Sequence, residues 1–322
     1  MTQQATVTPP STALIVVALA IVYVVWGSTY LGIKIVVEDL PPLASAGWRY
    51  LCGGVILGAI LAARGGLGRL RATRPQLLAC ALLGLMLPML GNGLVSVGES
   101  MGSPSGVAAL IVAAVPLWVI AFRAGSGDRP NRRTAIGVLV GFGGLVGLVA
   151  AIGFGESIPI GACLIIALAT LCWSFGSWSM PRLSLPKDPF VTAVYEMVFG
   201  AVFLLIGAAV RGEGLVPQSA PIEAWLAWAY LVIFGTVVAF TAYVWLLSAA
   251  PISLVATYAY VNPVVAVFLG WLILAEPVTV AIALSGTVVV GAVAMVVSAE
   301  RRGKQRDARP ETATGPGQQP AA

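Results

Sequence analysis

Charged residues in apolar surroundings are the first candidates for chemistry in this sequence. Arg49 lies in the second long apolar run of the chain, Glu196 lies in the seventh, and Lys34 lies near the end of the first. A charge at the centre of a membrane-spanning helix costs about 2.5–3.5 kcal/mol, so such a residue faces a partner or a water-filled cavity. Arg49 and Glu196 can therefore pair with each other or bind a charged solute, and Glu196 can carry a proton.

The position of each charge within its run indicates how deep it lies. At 1.5 Å per residue, Arg49 lies roughly 10 Å below one surface and Glu196 roughly 12 Å below the other. They either clamp two helices together or line a cavity, and the sequence leaves both interpretations open. Lys34 is close enough to its helix end to snorkel to the headgroups, so it is either an anchor or a site residue. Glu196 is the first candidate for a protonatable coupling residue, and Glu99 is the second.

Aromatic and amide side chains occur in the same runs. Trp26 and Tyr30 are one helical turn apart and share a face, as do Tyr258 and Asn262. Such a lining binds aromatic or cationic organic solutes by stacking and cation–π contacts. The alternative is that these rings belong to the aromatic belts at the membrane interfaces. The candidate cavity residues are Trp26, Tyr30, Lys34, Arg49, Trp173, Tyr195, Glu196, Tyr258 and Asn262.

Two prolines lie inside apolar runs. Pro116 and Pro263 each remove one backbone hydrogen bond, which permits a kink in a spanning helix. We therefore interpret them as a pair of candidate hinges.

The composition defines the class of protein. Of 322 residues, 59% are hydrophobic and 10% are charged, and the mean hydropathy is +0.95, which predicts an all-α integral membrane protein. Since the basic residues are confined to short segments between apolar runs, the net charge of +5 does not indicate a nucleic-acid-binding face. The natural partners of such a chain are a lipid bilayer and a small solute.

Several kinds of chemistry are not expected. Histidine is absent, so the sequence predicts no metal site, no cofactor and no enzyme. The segment Gly27–Lys34 reads GSTYLGIK, which is close to a phosphate-binding loop, but Ile33 separates the second glycine from the lysine. We therefore expect no nucleotide.

A spanning helix needs roughly 20 apolar residues, and ten runs of this kind can be drawn. They predict ten transmembrane helices at Ala13–Val37, Leu43–Ala63, Gln76–Val97, Ser105–Phe122, Thr134–Ile152, Ile160–Met180, Pro189–Val210, Glu223–Leu247, Ile252–Leu274 and Val278–Ser298.

The basic residues predict the orientation in the membrane. Of the 18 Lys and Arg residues, Arg211 alone falls in a loop on the side opposite the other loop cations, and Lys34 and Arg49 lie within runs. This bias places both termini in the cytoplasm. The predicted boundaries are an N-terminal cytoplasmic segment 1–11, helical units 12–153 and 154–299, and a disordered basic tail 300–322.

The two helical units are related by an internal repeat. Tryptophan, glycine, proline and arginine residues recur at one ungapped offset of 147 residues. Each unit holds five runs, which is an odd number, so the second unit must be inverted relative to the first. Inverted repeats of this kind are typical of transporters whose substrate site lies at mid-membrane. The matched pairs include Trp26 and Trp173, Arg49 and Glu196, and Pro116 and Pro263.

Several segments together resemble the EamA-type permeases of the drug/metabolite transporter superfamily. They are WGSTYLGIK, EDLPPL, WRY, GESMGSPSGVAALIVAAVPLW and VATYAYVNPVVAVFLGWLILAEPVT. The resemblance implies ten helices in two inverted five-helix repeats and the export or exchange of small metabolites, amino acids or drugs. Ser100 replaces the glutamine that commonly follows the position of Glu99 in that family. The matched positions are Trp26, Gly27, Ser28, Arg49, Glu99, Pro116, Asn262, Pro263, Glu276 and Pro277.

The function expected from these features is secondary transport of a small metabolite, amino acid or drug-like solute across the cytoplasmic membrane. Proton exchange or the solute gradient would supply the energy. The alternatives are an intramembrane enzyme acting on lipid, for which only Arg49 and Glu196 could form an acid/base pair, and a structural or regulatory membrane subunit. The substrate, the direction of transport and the oligomeric state stay open.

Overall fold

The computed structural model describes residues 11–103, 105–128, 131–152, 159–216 and 219–274, together with scattered positions from 280 to 299. Within these residues the chain forms helices and no strand. The helices are α1 (Thr12–Asp39), α2 (Pro42–Gly65), α3 (Arg74–Ser100), α4 (Ser105–Val112), α5 (Val115–Gly125), α6 (Arg132–Ile152), α7 (Ile160–Ser179), α8 (Pro189–Val210), α9 (Ile222–Ala249), α10 (Ile252–Val255) and α11 (Tyr258–Leu274).

Six of these helices are long and apolar enough to cross a membrane, namely α1, α2, α3, α7, α8 and α9. Two predicted spans consist of two helices each: residues 105–122 are divided between α4 and α5, and residues 252–274 between α10 and α11. Of the predicted tenth span, Val278–Ser298, the described positions are helical. The rest of that span, Glu276, Pro277, the tail and the N-terminal segment before Ser11 lie outside the described residues.

Short connections make consecutive spans antiparallel, so the loops gather at two ends of the molecule, and these ends differ in charge. The segments that follow α2 and α7 carry Arg69 and Arg182, the last turn of α5 carries Arg123, and we call their side the basic end. The opposite side, which we call the acidic end, carries Glu38 and Glu213. Since α1 starts at the basic end and α7 starts at the acidic end, the two halves run in opposite directions.

The repeat is visible in an unusual local feature. Both α3 and α9 contain a π-helical stretch, at Leu85–Gly93 and Leu231–Phe240, and the two stretches end 147 residues apart. In the first stretch Pro88 lacks the N–H that a regular α-helix requires at that position. π-Helical turns widen a helix and often occur at functional sites. Both stretches lie beside the centre of the molecule.

The interruptions of the divided spans only partly match the predicted hinges. Residues Ala113–Ala114 separate α4 from α5, and Pro116 lies in the first turn of α5, directly after this break. Pro263 instead lies inside α11. The break in its span comes earlier, before Tyr258, where the Thr257 hydroxyl donates a hydrogen bond to the Leu254 carbonyl at 2.6 Å. A side-chain hydrogen bond of this kind competes with the regular helical pattern.

Helices α2 and α8 are repeat mates that pack against each other along much of their length. At each end, the loop after one of them bonds to the start of the other. Glu213 accepts hydrogen bonds from the N–H groups of Leu43 and Ala44, at 2.9 and 3.0 Å. Asp188 caps α8 at the basic end and pairs with Arg69 at 2.8 Å. These contacts fix the relative position of the two helices that carry Arg49 and Glu196.

Candidate functional site

Four aromatic rings form a cluster at the centre of the molecule, on the side that faces the basic end. Trp26 and Trp173, which are repeat mates, meet edge to face with ring centroids 5.4 Å apart. Tyr243 lies 4.9 Å from Trp26 and 5.3 Å from Trp173, and Tyr258 lies 5.0 Å from Trp26. We call these four residues the aromatic floor. Their edge-to-face and tilted contacts are favourable aromatic geometries.

The polar atoms of the aromatic floor are bonded inside the protein. The Trp173 indole N–H donates to the Tyr243 hydroxyl at 2.9 Å, and that hydroxyl also bonds the Ser177 hydroxyl at 2.6 Å. The Trp26 indole N–H donates to the Gly235 carbonyl in the second π-helical stretch, at 3.2 Å. The rings are therefore held in fixed orientations rather than free to rotate.

A glycine permits the close approach that the aromatic floor needs. A Cβ atom at Gly27 would lie 2.7 Å from the Val265 side chain and 3.3 Å from the Asn262 carbonyl. The absence of a side chain at Gly27 therefore brings α1 against α11. This contact sets Trp26 beside Tyr258.

Above the aromatic floor, toward the acidic end, lies a cavity of about 70 Å³. This volume holds a few waters, whereas sites for drug-sized ligands measure about 300–1,000 Å³. Its walls come from both repeats. They are Trp26, Thr29, Tyr30, Ile33, Arg49, Tyr50, Gly91, Asn92, Val95, Val112, Val115, Ala169, Thr170, Trp173, Gly235, Tyr258 and Asn262.

Arg49 is the charged residue of this lining. Its side chain is 5% exposed, one guanidinium nitrogen (Nη2) donates to the Asn92 side-chain oxygen, and the guanidinium lies 4.8 Å from the centre of the Tyr50 ring. Its Nε–H has no acceptor, and within the described chain Arg49 forms no ion pair. A buried guanidinium without a carboxylate partner is an energetically expensive arrangement.

Glu196 does not pair with Arg49. It is fully buried, and neither of its carboxylate oxygens accepts a hydrogen bond from the described residues. It is within electrostatic reach of Tyr50, Cys80 and Tyr243, and it does not belong to the cavity lining. The clamp that the sequence left open between Arg49 and Glu196 is therefore not formed in this conformation, nor is the acid/base pair that an intramembrane enzyme would use.

Glu99 is the second buried carboxylate. It is also fully buried, and neither of its oxygens is hydrogen-bonded to the described protein. Lys34 and Tyr30 are within electrostatic reach of it. Tyr30 lines the cavity, whereas neither Glu99 nor Glu196 belongs to its lining.

Asn262 lies at the cavity wall beside the α1–α11 contact. With the amide oriented so that its nitrogen faces acceptors, it donates to the Tyr258 carbonyl at 3.0 Å and to the Tyr23 carbonyl at 3.3 Å. Tyr30 lines the same cavity. Asn262 therefore ties α11 to α1 at the level of the site.

Besides Glu196, two predicted cavity residues lie elsewhere. The Tyr195 hydroxyl donates to the Leu70 carbonyl at 2.6 Å, which directs this ring toward the basic end and away from the cavity. Lys34 is half-buried near the acidic end and pairs with Glu38, one helical turn away, at 3.7 Å. Neither residue belongs to the cavity lining, and the placement of Lys34 fits the anchor interpretation.

A chain of cavities continues from the site to the acidic end. A constriction of about 10 Å³ shares Ile33 and Arg49 with the central cavity. It shares Ser45 and Trp228 with an outer apolar cavity of about 150 Å³. At the constriction the Trp228 indole N–H donates to the Ser45 carbonyl at 2.9 Å. This hydrogen bond joins α9 to α2 between the two larger cavities.

Sequence reasoning did not select several residues that the structure brings to the site. Asn92, Thr170 and Tyr50 line the cavity, and Tyr243 completes the aromatic floor. A signal existed for Asn92, because an amide in the middle of an apolar run needs a partner there. No comparable signal separates Tyr243 from the other aromatic residues, because it becomes central only through contacts between helices.

Comparisons with known proteins give a consistent result. The EamA-like transporter family matches this chain twice, over residues 13–150 and 160–298. The "Uncharacterized inner membrane transporter YedA" of Escherichia coli (strain K12) is 40% identical over 253 residues, which cover 79% of this chain and 80% of that protein. The "Uncharacterized transporter YvbV" of Bacillus subtilis (strain 168) is 27% identical over 282 residues, which cover 86% of this chain and 90% of that protein.

A solved crystal structure has a similar fold. It superposes with a TM-score of 0.72 and covers 91% of this chain and 99% of its own, at 22% sequence identity. At this level of identity the likeness concerns the fold alone.

Proposed function

The chain belongs to the EamA-like transporter family, and from that premise we propose that it moves a small organic solute across the inner membrane by alternating access. The predicted family and the predicted all-α membrane fold with two repeats are confirmed by the double family match. The chain is a multi-pass membrane transporter, and solute binding in the central cavity is the proposal developed below.

The observation that carries this proposal is the origin of the cavity walls. Both repeats contribute to them, and the mates Trp26 and Trp173 meet at the base of the cavity. In transporters built from inverted repeats, the substrate site lies between the repeats near mid-membrane. Rocking one repeat against the other would then expose this cavity to one side of the membrane at a time.

In the conformation described, the cavity is bordered at both ends. The aromatic floor lies between the cavity and the basic end, and the Trp228–Ser45 hydrogen bond lies at the constriction toward the acidic end. We propose that the constriction is the outer gate and that the basic end and both termini are cytoplasmic. The distribution of loop cations supports this orientation.

Proton coupling through Glu196 is the second element of the proposal. A carboxyl group that is buried without a hydrogen-bonding partner is readily held in its neutral form and changes charge only when its surroundings open. The titratable groups that face Glu196 are Tyr50 from α2, Cys80 from α3 and Tyr243 from α9. Two of these belong to the cavity wall or the aromatic floor, so protonation and solute binding would act on the same contacts. Glu99 is the alternative coupling residue.

The experiment has two stages. Purified protein is first screened by thermal shift against amino acids, small organic acids, polyamines and cationic drugs, because a ligand that binds the folded state raises its apparent stability. Solutes that raise the midpoint are then tested for counterflow in proteoliposomes. We expect labelled solute to accumulate and to be recovered chemically unchanged. Conversion of the solute, or the absence of flux for every solute that binds, would contradict the proposal.

Matched variants locate the site and the coupling residue. Trp173→Ala should abolish counterflow, while Trp118→Ala, on a partly exposed ring outside the cavity, should leave it intact. Glu196→Gln should fold and transport but lose the pH dependence of transport, while Glu223→Gln near the acidic end should retain it. Unchanged pH dependence in Glu196→Gln would remove Glu196 from the mechanism.

A further inference from the structure

The charge of the central cavity points to the chemistry of its ligand, and this step rests on the proposed function. Arg49 is the one cation in the described lining, and no carboxylate belongs to that lining. The two buried carboxylates Glu99 and Glu196 are outside this lining and form no hydrogen bond with the guanidinium. The cavity therefore presents a net positive charge to whatever enters it.

The guanidinium keeps hydrogen-bonding capacity for an anion. Arginine has five N–H donors in a planar fork, and here Asn92 accepts from Nη2 while the Nε–H next to it has no acceptor. A carboxylate binds such a fork through two parallel hydrogen bonds, which are stronger than hydrogen bonds between neutral groups. The Asn92 contact restrains the guanidinium, so the Arg49 side chain loses less conformational entropy when a ligand binds.

The opposite wall selects the rest of the ligand. The faces and edges of Trp26, Trp173 and Tyr258 line the side of the cavity toward the basic end. Aromatic surfaces of this kind contact apolar or aromatic groups favourably. The rings would also attract an organic cation. The positive charge of Arg49 in the same small cavity repels such a cation and therefore disfavours its binding. The aromatic walls alone would not distinguish these two ligand classes, and the guanidinium does.

We propose that the cavity binds a small organic acid, with its carboxylate on Arg49 and its apolar or aromatic body on the aromatic floor. Arg49 is thus a substrate-binding residue and not a structural clamp. The carboxylate supplies the negative partner that the buried guanidinium lacks within the described protein.

The test uses three small probes that share one ring: benzoate, benzamide and benzylamine. Binding to the purified full-length protein is measured by quenching of tryptophan fluorescence, and transport is measured by counterflow in proteoliposomes. Benzoate should bind on the order of 10- to 100-fold more tightly than benzamide, because hydrogen bonds to a charged group are lost with the amide. Benzylamine should bind more weakly still.

Variants separate charge from geometry. Arg49→Gln should remove the preference for benzoate over benzamide. Arg49→Lys should keep the preference with weaker binding, because lysine retains the charge and loses the planar fork. Arg71→Gln, which removes an exposed cation between α2 and α3, is the matched control and should behave as wild type. Circular dichroism and gel filtration verify that each variant is folded.

The outcomes distinguish this inference from the proposed function. Equal binding of the three probes, binding of none of them, or an undiminished benzoate preference in Arg49→Gln would overturn the carboxylate site, even if other solutes are transported. Benzoate binding that depends on Arg49 without counterflow of benzoate would support the site and contradict transport of this acid.

Discussion

Replacement of Glu196 by methionine is expected to make the protein more stable. The side chain is fully buried in α8, and neither of its oxygens is hydrogen-bonded within the described chain. A buried polar group without a partner destabilises the folded state by about 1–3 kcal/mol. Methionine has a similar length and no polar oxygen, so Glu196→Met removes this penalty and leaves little change in packing.

The gain can be measured as a thermal midpoint. Unfolding entropy is about 2.1 cal/mol/K per residue, so for this chain length of 322 residues a gain of 1–3 kcal/mol raises the midpoint by about 2–4 °C. The assay is the loss of tertiary signal on heating in detergent, at one protein and detergent concentration. Leu204→Met, a volume-conserving change at a fully buried position of the same helix, is the control and should cause no gain.

The same experiment can refute the reasoning. If Glu196 stabilises the fold by balancing the charge of Arg49 from a distance, Glu196→Met should lower the midpoint by more than Leu204→Met does. That result would make the carboxylate a structural group. A stability gain that comes with loss of pH-dependent transport would instead show that the residue is retained for function at a cost in stability.

Three further predictions concern the surroundings of the site. Tyr243→Phe leaves a buried indole N–H without an acceptor, so the thermal midpoint should fall by an amount corresponding to about 1–3 kcal/mol; an unchanged midpoint would show that the hydroxyl contributes nothing. Gly27→Ala should destabilise the protein by about 1–3 kcal/mol because the new Cβ meets Val265. Adding Val265→Ala in a double variant should restore most of this loss of stability. Losses of the two single variants that simply add in the double variant would contradict the steric explanation. The hydrogen bond from Arg123 lowers the pKa of Asp128 at the basic end. This contact therefore stabilises the fold at pH values above the ordinary pKa of a carboxylate, and the stabilisation is lost as the pH falls through the lower pKa of Asp128 in the folded state. Asp128→Asn should therefore lower the midpoint at neutral pH and not in acid, and a difference that persists in acid would rule out the ion pair as its cause.

The course of the main chain could be predicted well from hydropathy, because the requirement for roughly 20 apolar residues acts on each span separately. The predicted run Pro189–Val210 agrees with α8 at both ends. Kinks at Pro116 and Pro263 were predicted in the spans 105–122 and 252–274, but the division of each span into two helices was not. A hydropathy run does not register a local turn inside it, such as the one at Thr257, where the hydroxyl donates to the Leu254 carbonyl.

The composition of the site could be predicted less completely, and the reason is geometric. The repeat offset identified Trp26 and Trp173 as mates, and the structure brings them together because symmetry mates approach each other near the axis that relates the repeats. It did not predict that Tyr195 points to the basic end, since this depends on an acceptor, the Leu70 carbonyl, in another part of the chain. Whether Arg49 and Glu196 pair likewise depends on contacts between helices, which the repeat offset does not specify.

Access to Thr170 from the two sides of the membrane tests the central claim most directly. Thr170 lines the cavity from α7, and Leu168 on the same helix is exposed on the outer surface of the molecule. Thr170→Cys and Leu168→Cys are made in a protein in which Cys52, Cys80, Cys163 and Cys172 have been replaced, and both are treated with a membrane-impermeant thiol reagent. The account predicts that Thr170→Cys reacts from either side, that transported solute protects it, and that Leu168→Cys, facing lipid, does not react. Reaction of Thr170→Cys from one side alone, or no reaction at all, would contradict alternating access to this cavity.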